Sequence, residues 1–242
     1  YVTLYPAGHI LGSLQFLIEF KGHRLLISGD YKRSKDLTCK EYEPVKCHTF
    51  ITEATFGLPI FSHPCDKIET QKLIKSLYNN DDSTHLIGVY ALGKCQRLIS
   101  LLRSEGYNET IYLHGAMINI SEYYIDNAIK LGNIKKVSEH SPNDMVGKLI
   151  LCPPSALNDK WSQKFKNVIK GCVSGWMKIK QRIKQKNIEL PIIISDHSDW
   201  NDILTTIKDV SPYEVLVTHG REEALVYYLN KKSYLSKALN LI

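Results

Sequence analysis

His85-Leu86-Ile87-Gly88-Val89-Tyr90 is followed by Ala91-Leu92-Gly93-Lys94 and then by a stripe of Cys95, Leu98, Ile99 and Leu102. An unbroken apolar run of this length reads as a buried strand. Apolar residues three and four apart after a glycine read as an amphipathic helix. The alternation continues on both sides: a helix over 66–79, strand 85–90, helix 93–104, strand 110–113, helix 119–131 and strand 148–152. Strands separated by helices need crossover connections, so the stretch predicts a parallel βαβ layer and an α/β fold class.

The flanks have a different texture. Tyr1 to Tyr5 enters as if in the middle of a strand, so the chain reads as a fragment or a processed product. Leu14 to Phe20 is strand-like, Lys21-Gly22 is a tight turn, and Arg24 to Ile27 returns as the partner. Thr49 to Thr52 forms a buried strand that ends at Glu53. Beyond a basic stretch come strand 191–195, helix 200–208, strand 213–218 and helix 221–230. The expected domain bounds are 1–65 and 173–242 for one domain in two parts, with 66–172 as an inserted α/β unit.

The 242 residues suffice for one large core or two modest ones, and apolar and charged fractions of 43% and 23% are ordinary for a globular protein. No apolar run reaches bilayer length and no basic-then-apolar leader opens the chain, which leads us to expect a cytoplasmic protein with no membrane partner. Six cysteines include no Cys-x-x-Cys pair and read as buried thiols. The net charge of +6 favours polyanionic partners. Its excess is concentrated: from Lys160 to Lys186 every charged residue is basic, Lys178, Lys180 and Arg182 among them, with Trp161, Phe165 and Trp176 interleaved. That pattern fits a nucleic-acid face, and it equally fits a solvated helix face whose aromatics belong to the core.

Four chemistry-bearing residues sit where loops leave strands: His9 in Pro6-Ala7-Gly8-His9, Asp30 in Ser28-Gly29-Asp30, His197 in Ser195-Asp196-His197-Ser198-Asp199, and His219 in Thr218-His219-Gly220. One histidine beside a strand is usually structural. Four groups placed alike point to a zinc or di-metal site for phosphoryl transfer, with His197 and His219 on neighbouring strand ends. The Asp30 carboxylate can bridge two cations, leaving His9 and His219 as single-metal ligands on either side. Glu53 either caps the next element or pairs with His197, keeping that imidazole protonated as a general acid. Gly93-Lys94 at a helix start suits a phosphate, although the P-loop pattern is absent.

Taken in order, Ala7-Gly8-His9-Ile10-Leu11-Gly12-Ser13, Ser28-Gly29-Asp30-Tyr31, Thr52-Glu53-Ala54-Thr55-Phe56-Gly57, Ala91-Leu92-Gly93-Lys94, Ser195-Asp196-His197 and Thr218-His219-Gly220 resemble the β-CASP branch of the metallo-β-lactamase superfamily of nucleases. The resemblance covers nearly the whole chain. It implies an αββα metallo-β-lactamase sandwich, N-terminally incomplete, with the inserted unit as a β-CASP domain closing over the nucleic-acid strand. It also implies two zinc ions, with His9, Asp30 and His219 as ligands and Asp30 bridging, and Glu53 and His197 as catalytic residues. Lys94, Lys178, Lys180 and Arg182 are then expected to steer the nucleic-acid backbone.

Glu53 to Pro59, Ser174 to Met177 and Ser195 to Trp200 look most like the bacterial DNA-ligase-associated exonucleases. The expected function is therefore a zinc-dependent exonuclease acting on single-stranded DNA or DNA ends in repair, with a DNA ligase or helicase as partner. An RNA-processing nuclease and a non-catalytic nucleic-acid-binding scaffold are the alternatives. The family's His-x-His-x-Asp-His signature, which lies upstream of the His9 motif in the family, occurs nowhere in these 242 residues. The chain by itself thus offers two protein ligands per metal, and the expectation is weak zinc binding with little turnover.

Overall fold

The computed structural model describes residues 1–239, which divide into two compact units: Tyr1–Ser62 with the chain from Asp196, and His63–Ser195. Strands and helices are numbered along the chain. In the first unit a six-stranded sheet runs β1 (Val2–Pro6), β2 (Leu14–Phe20), β3 (His23–Ile27), β4 (Thr49–Ala54), β11 (Glu214–Gly220), β12 (Leu235–Ala238). The β1–β2 and β2–β3 pairs are antiparallel and the others parallel. Lys21 and Gly22 both take left-handed φ, 47° and 79°, the two-residue turn that strand twist favours.

Alternation along these strands sends Leu17, Leu26, Phe50, Val215 and Val217 to one face. They share a core there with residues of α5 (Trp200–Val210) and α6 (Glu222–Lys231). The alternate positions Val2, Leu4 and Phe16 are 63%, 51% and 45% exposed. Helix α5 starts where the Asp199 carboxylate accepts the Asp202 N–H at 2.9 Å. This cap fixes the end of the loop that carries His197, two residues upstream.

The second unit contains α1 (Asp66–Asn79), β5 (Thr84–Gly88), α2 (Lys94–Ser104), β6 (Ile111–Leu113), α3 (Gly115–Asp126), β7 (Ile134–Lys136), β8 (Leu149–Cys152), β9 (Val168–Val173), α4 (Lys180–Gln185) and β10 (Leu190–Ile192). Its sheet order is β10-β9-β5-β8-β6-β7, parallel at every pairing. Strands β5, β6 and β8 are buried along their whole length, as expected when helices cover a parallel sheet.

Several expectations need correction. Helix α3 begins at Gly115, not 119, because His114 Nδ1 accepts the Ala116 N–H at 3.1 Å and caps it. The basic stretch is not one helix face: it holds a single turn at 162–164, then β9, a turn at 175–178 and α4. Strand β10 covers only Leu190–Ile192 and pairs with β9, so the second unit runs through Ser195 where the sequence reading ends it at 172. For the same reason His197 and His219 do not leave neighbouring strands, since β10 and β11 belong to different sheets. Among the described residues, no helix is long and apolar enough to cross a membrane.

Candidate metal and acid site

His9 rides on a loop held by its own backbone. Gly8 has φ 72°, and a Cβ there would run into the Lys32 carbonyl. Ser13 Oγ accepts the N–H groups of His9 and Ile10 at 3.1 and 3.2 Å. So fixed, His9 donates Nδ1–H to the Asp196 carbonyl at 2.8 Å. In the neutral ring Nε2 is then a lone pair, and it faces Asp30 Oδ2 at 3.9 Å. Two acceptors facing each other repel unless a cation or proton lies between them, which is how a metal ligand pair looks before loading.

Glu53 is 2% exposed at the end of β4. Its Oε1 accepts the Tyr31 N–H at 2.9 Å, and its two oxygens lie 3.1 and 3.0 Å from His197 Nδ1, which donates. The Tyr31 carbonyl accepts the Ser198 N–H at 2.7 Å. A single residue next to Asp30 therefore positions both members of the Glu53–His197 pair. Burial pushes the His197 imidazolium down, but the hydrogen bond and charge of Glu53, with Asp196 and Asp30 nearby, outweigh it and raise the pKa above 6.5.

His9, Asp30 and His197 each offer a ligand atom, and these lie within 4.8 Å of one another. The His9 and His197 ring centroids are 4.6 Å apart. His219 is exposed and stands apart from this close trio, but with Asp30, Glu53, Ser28 and Thr218 it lines a cavity of about 240 Å³. Its position depends on a bulge: the β4–β11 register shifts between Thr218 and Gly220, His219 takes φ 56° and Gly220 φ 146°. A Cβ on Gly220 would strike the Ala54 carbonyl. Gly220→Ala is expected to destabilise the first unit by about 2–6 kcal/mol, combining backbone strain with overpacking of roughly 1–3 each. The change in denaturant midpoint measures it.

No protein-family model matches the chain. Over 222 residues it is 27% identical to a probable DNA ligase of Opitutus terrae, covering 90% of this chain and 21% of that protein. It is 38% identical over 134 residues to the endoribonuclease ysh1 of Emericella nidulans, covering 53% of this chain and 14% of the other. With subunit 3 of the cleavage and polyadenylation specificity factor of Dictyostelium discoideum it shares 25% identity over 272 residues, covering 90% of this chain and 35% of that one. Its homologues thus include a probable DNA ligase and endoribonucleases of the β-CASP metallo-β-lactamase kind. It spans 14% to 35% of the length of these β-CASP and ligase relatives. A solved structure of a protein of unknown function from Enterococcus faecalis shares its fold, with TM-score 0.61 and 11% identity, covering 100% of this chain and 62% of that one.

The basic residues read from the sequence all lie in the second unit. Lys94 opens α2 with Nζ 4.9 Å from the Tyr90 ring centroid. Lys178 and Lys180 are exposed, and the Arg182 guanidinium lies 4.1 Å from the centre of the Trp176 ring. The sequence reading missed the parts played by the Tyr31 backbone and the Asp196 carbonyl. Position next to Asp30 and His197 was the signal that could have pointed to them.

Proposed function

We propose that the chain belongs to a zinc-dependent nuclease that hydrolyses phosphodiester bonds, acting as an exonuclease on DNA ends. In this reading the first unit is a metallo-β-lactamase domain and the second a β-CASP insert. The observation that carries it is the facing pair of acceptors, His9 Nε2 and Asp30 Oδ2 at 3.9 Å, with His9 Nδ1 already engaged behind.

His9, Asp30 and His219 would hold the metal. Zinc bound there supplies Lewis-acid charge to the phosphoryl group. The Asp196 carbonyl keeps His9 in the ligating tautomer. His197, oriented through Nδ1, carries a proton on Nε2 to the departing oxygen, and Glu53 stabilises its charged form. Glu53 has no such reach itself, being buried and committed to Tyr31 and His197. The exposed Lys178, Lys180 and Arg182 steer the substrate backbone, while Lys94, only 7% exposed, can meet it only at the start of α2.

The alignment with a probable DNA ligase supports DNA as substrate, and we propose a DNA ligase or helicase as partner. The 38% identity to an endoribonuclease favours a second reading, in which the same groups cut RNA. Matched single-stranded DNA and RNA, incubated with zinc and after chelation, separate them. With two protein ligands per metal, the expected result is slow shortening of DNA from an end at high zinc concentration, lost on chelation and restored by zinc. Cutting confined to RNA would replace the first reading with the second, and no cutting of either in zinc would overturn both.

A further inference from the structure

Ligands of parallel sheets collect beyond the carboxyl ends of the strands. In the second unit this rim has an unusual lining. Tyr90 follows the end of β5 and is 61% exposed, and the Lys94 ammonium stands near its ring. His114 follows β6 directly, with the Trp161 ring set edge-on at 4.6 Å. Lys164 Nζ lies 5.3 Å from the Trp161 centroid and 5.1 Å from that of Phe165. Trp176 follows β9 and carries the Arg182 guanidinium at 4.1 Å.

Topology puts these groups in a row. Strands β9, β5, β8 and β6 are successive neighbours, so the outer aromatics are separated by three strand spacings, about 14 Å. Gly88 helps to set the row: a Cβ there would lie 2.5 Å from Leu157, in the turn that leads to Trp161. Both tryptophans are half-buried against the core of this unit, which pins each ring at the rim. Asp159 is the acid beside His114, and beyond it every charge from Lys160 to Lys186 is positive.

We infer that this rim is a base-stacking platform for single-stranded nucleic acid, built on the Arg182–Trp176 and Lys164–Trp161 pairs. The inference rests on the nuclease reading for its substrate class and adds the residues that hold the strand. With its guanidinium carbon 4.1 Å from the centre of the Trp176 ring, Arg182 can offer a planar face to a base and an N–H edge to a phosphate. Alternating rings and cations grip a strand with little regard to sequence, because every base has a π-face.

The test uses the full chain in EDTA, so that the metal site contributes nothing, with an oligothymidylate and an abasic oligomer of equal length as probes. Two of the three tryptophans lie on the rim and Trp200 is buried in the other unit, so intrinsic fluorescence reads stacking directly. The expected result is quenching by the oligothymidylate and roughly tenfold tighter binding of it than of the abasic oligomer. Arg182→Lys keeps the charge, removes the plane and sits on an exposed helix position. It should cost most of that preference, weakening oligothymidylate binding far more than abasic binding, which loses only the guanidinium's phosphate contact. Equal affinity for the two probes, no binding of either, or an Arg182→Lys variant that binds like the parent would overturn the platform. Base-dependent binding without cleavage in zinc would overturn the nuclease reading alone, and cleavage without base-dependent binding the platform alone.

Discussion

His197→Ala is expected to lower phosphodiester hydrolysis by about 10²–10⁴-fold, the contribution of a positioned general acid, while leaving zinc bound. Nδ1 of His197 is spent on the Glu53 carboxylate, so the ring can act only through Nε2. Glu53 is held by the Tyr31 N–H, and Tyr31 in turn holds Ser198, so the imidazole cannot swing away without breaking a buried network. Burial by itself would favour the neutral ring, and the Glu53 charge reverses that preference. Removing the side chain deletes the proton donor but leaves His9, Asp30 and His219 in place. Single-turnover cleavage of an end-labelled strand measures the loss.

Asp30→Asn is expected to have the other large effect, on the metal itself. The substitution keeps the size and removes the charge that faces His9 Nε2. Loss of an outer-shell partner alone costs roughly 10–100-fold in metal affinity, and a bridging carboxylate should cost at least as much. Hydrolysis should fall to background with it. Asp30 is partly exposed and follows a β3 end fixed by the Ser28 N–H to the Ile51 carbonyl, so the variant should fold normally. Unchanged thermal unfolding with lost zinc binding is the expected pair of results.

The parts of this architecture visible in the sequence are those set by local spacing. Helices α1 and α2 follow from their apolar stripes, and the β2–β3 hairpin from Lys21-Gly22. Strand β9 was hidden because Lys166 and Lys170 break the apolar run, and β7 and β12 because lysines blunt short edge strands. Pairing of β10 with β9 is non-local, and with it went the expectation that two histidines leave adjacent strands. At the site, side-chain types and their loop-end positions were legible. What was not legible is how backbone atoms fix them: the Asp196 carbonyl behind His9 lies 187 residues away in sequence, and nothing in residue type marks a carbonyl as an acceptor.

Geometry also leaves His197 within ligand distance of His9 and Asp30, so its role as acid is the claim most exposed to test. Zinc titration of the parent chain, His197→Ala and Asp30→Asn against a competing chromophoric chelator addresses it directly. The parent and His197→Ala should take zinc with similar affinity, and Asp30→Asn should take little. Loss of zinc from His197→Ala to the extent seen in Asp30→Asn would make His197 a metal ligand and contradict the proposed division of the site.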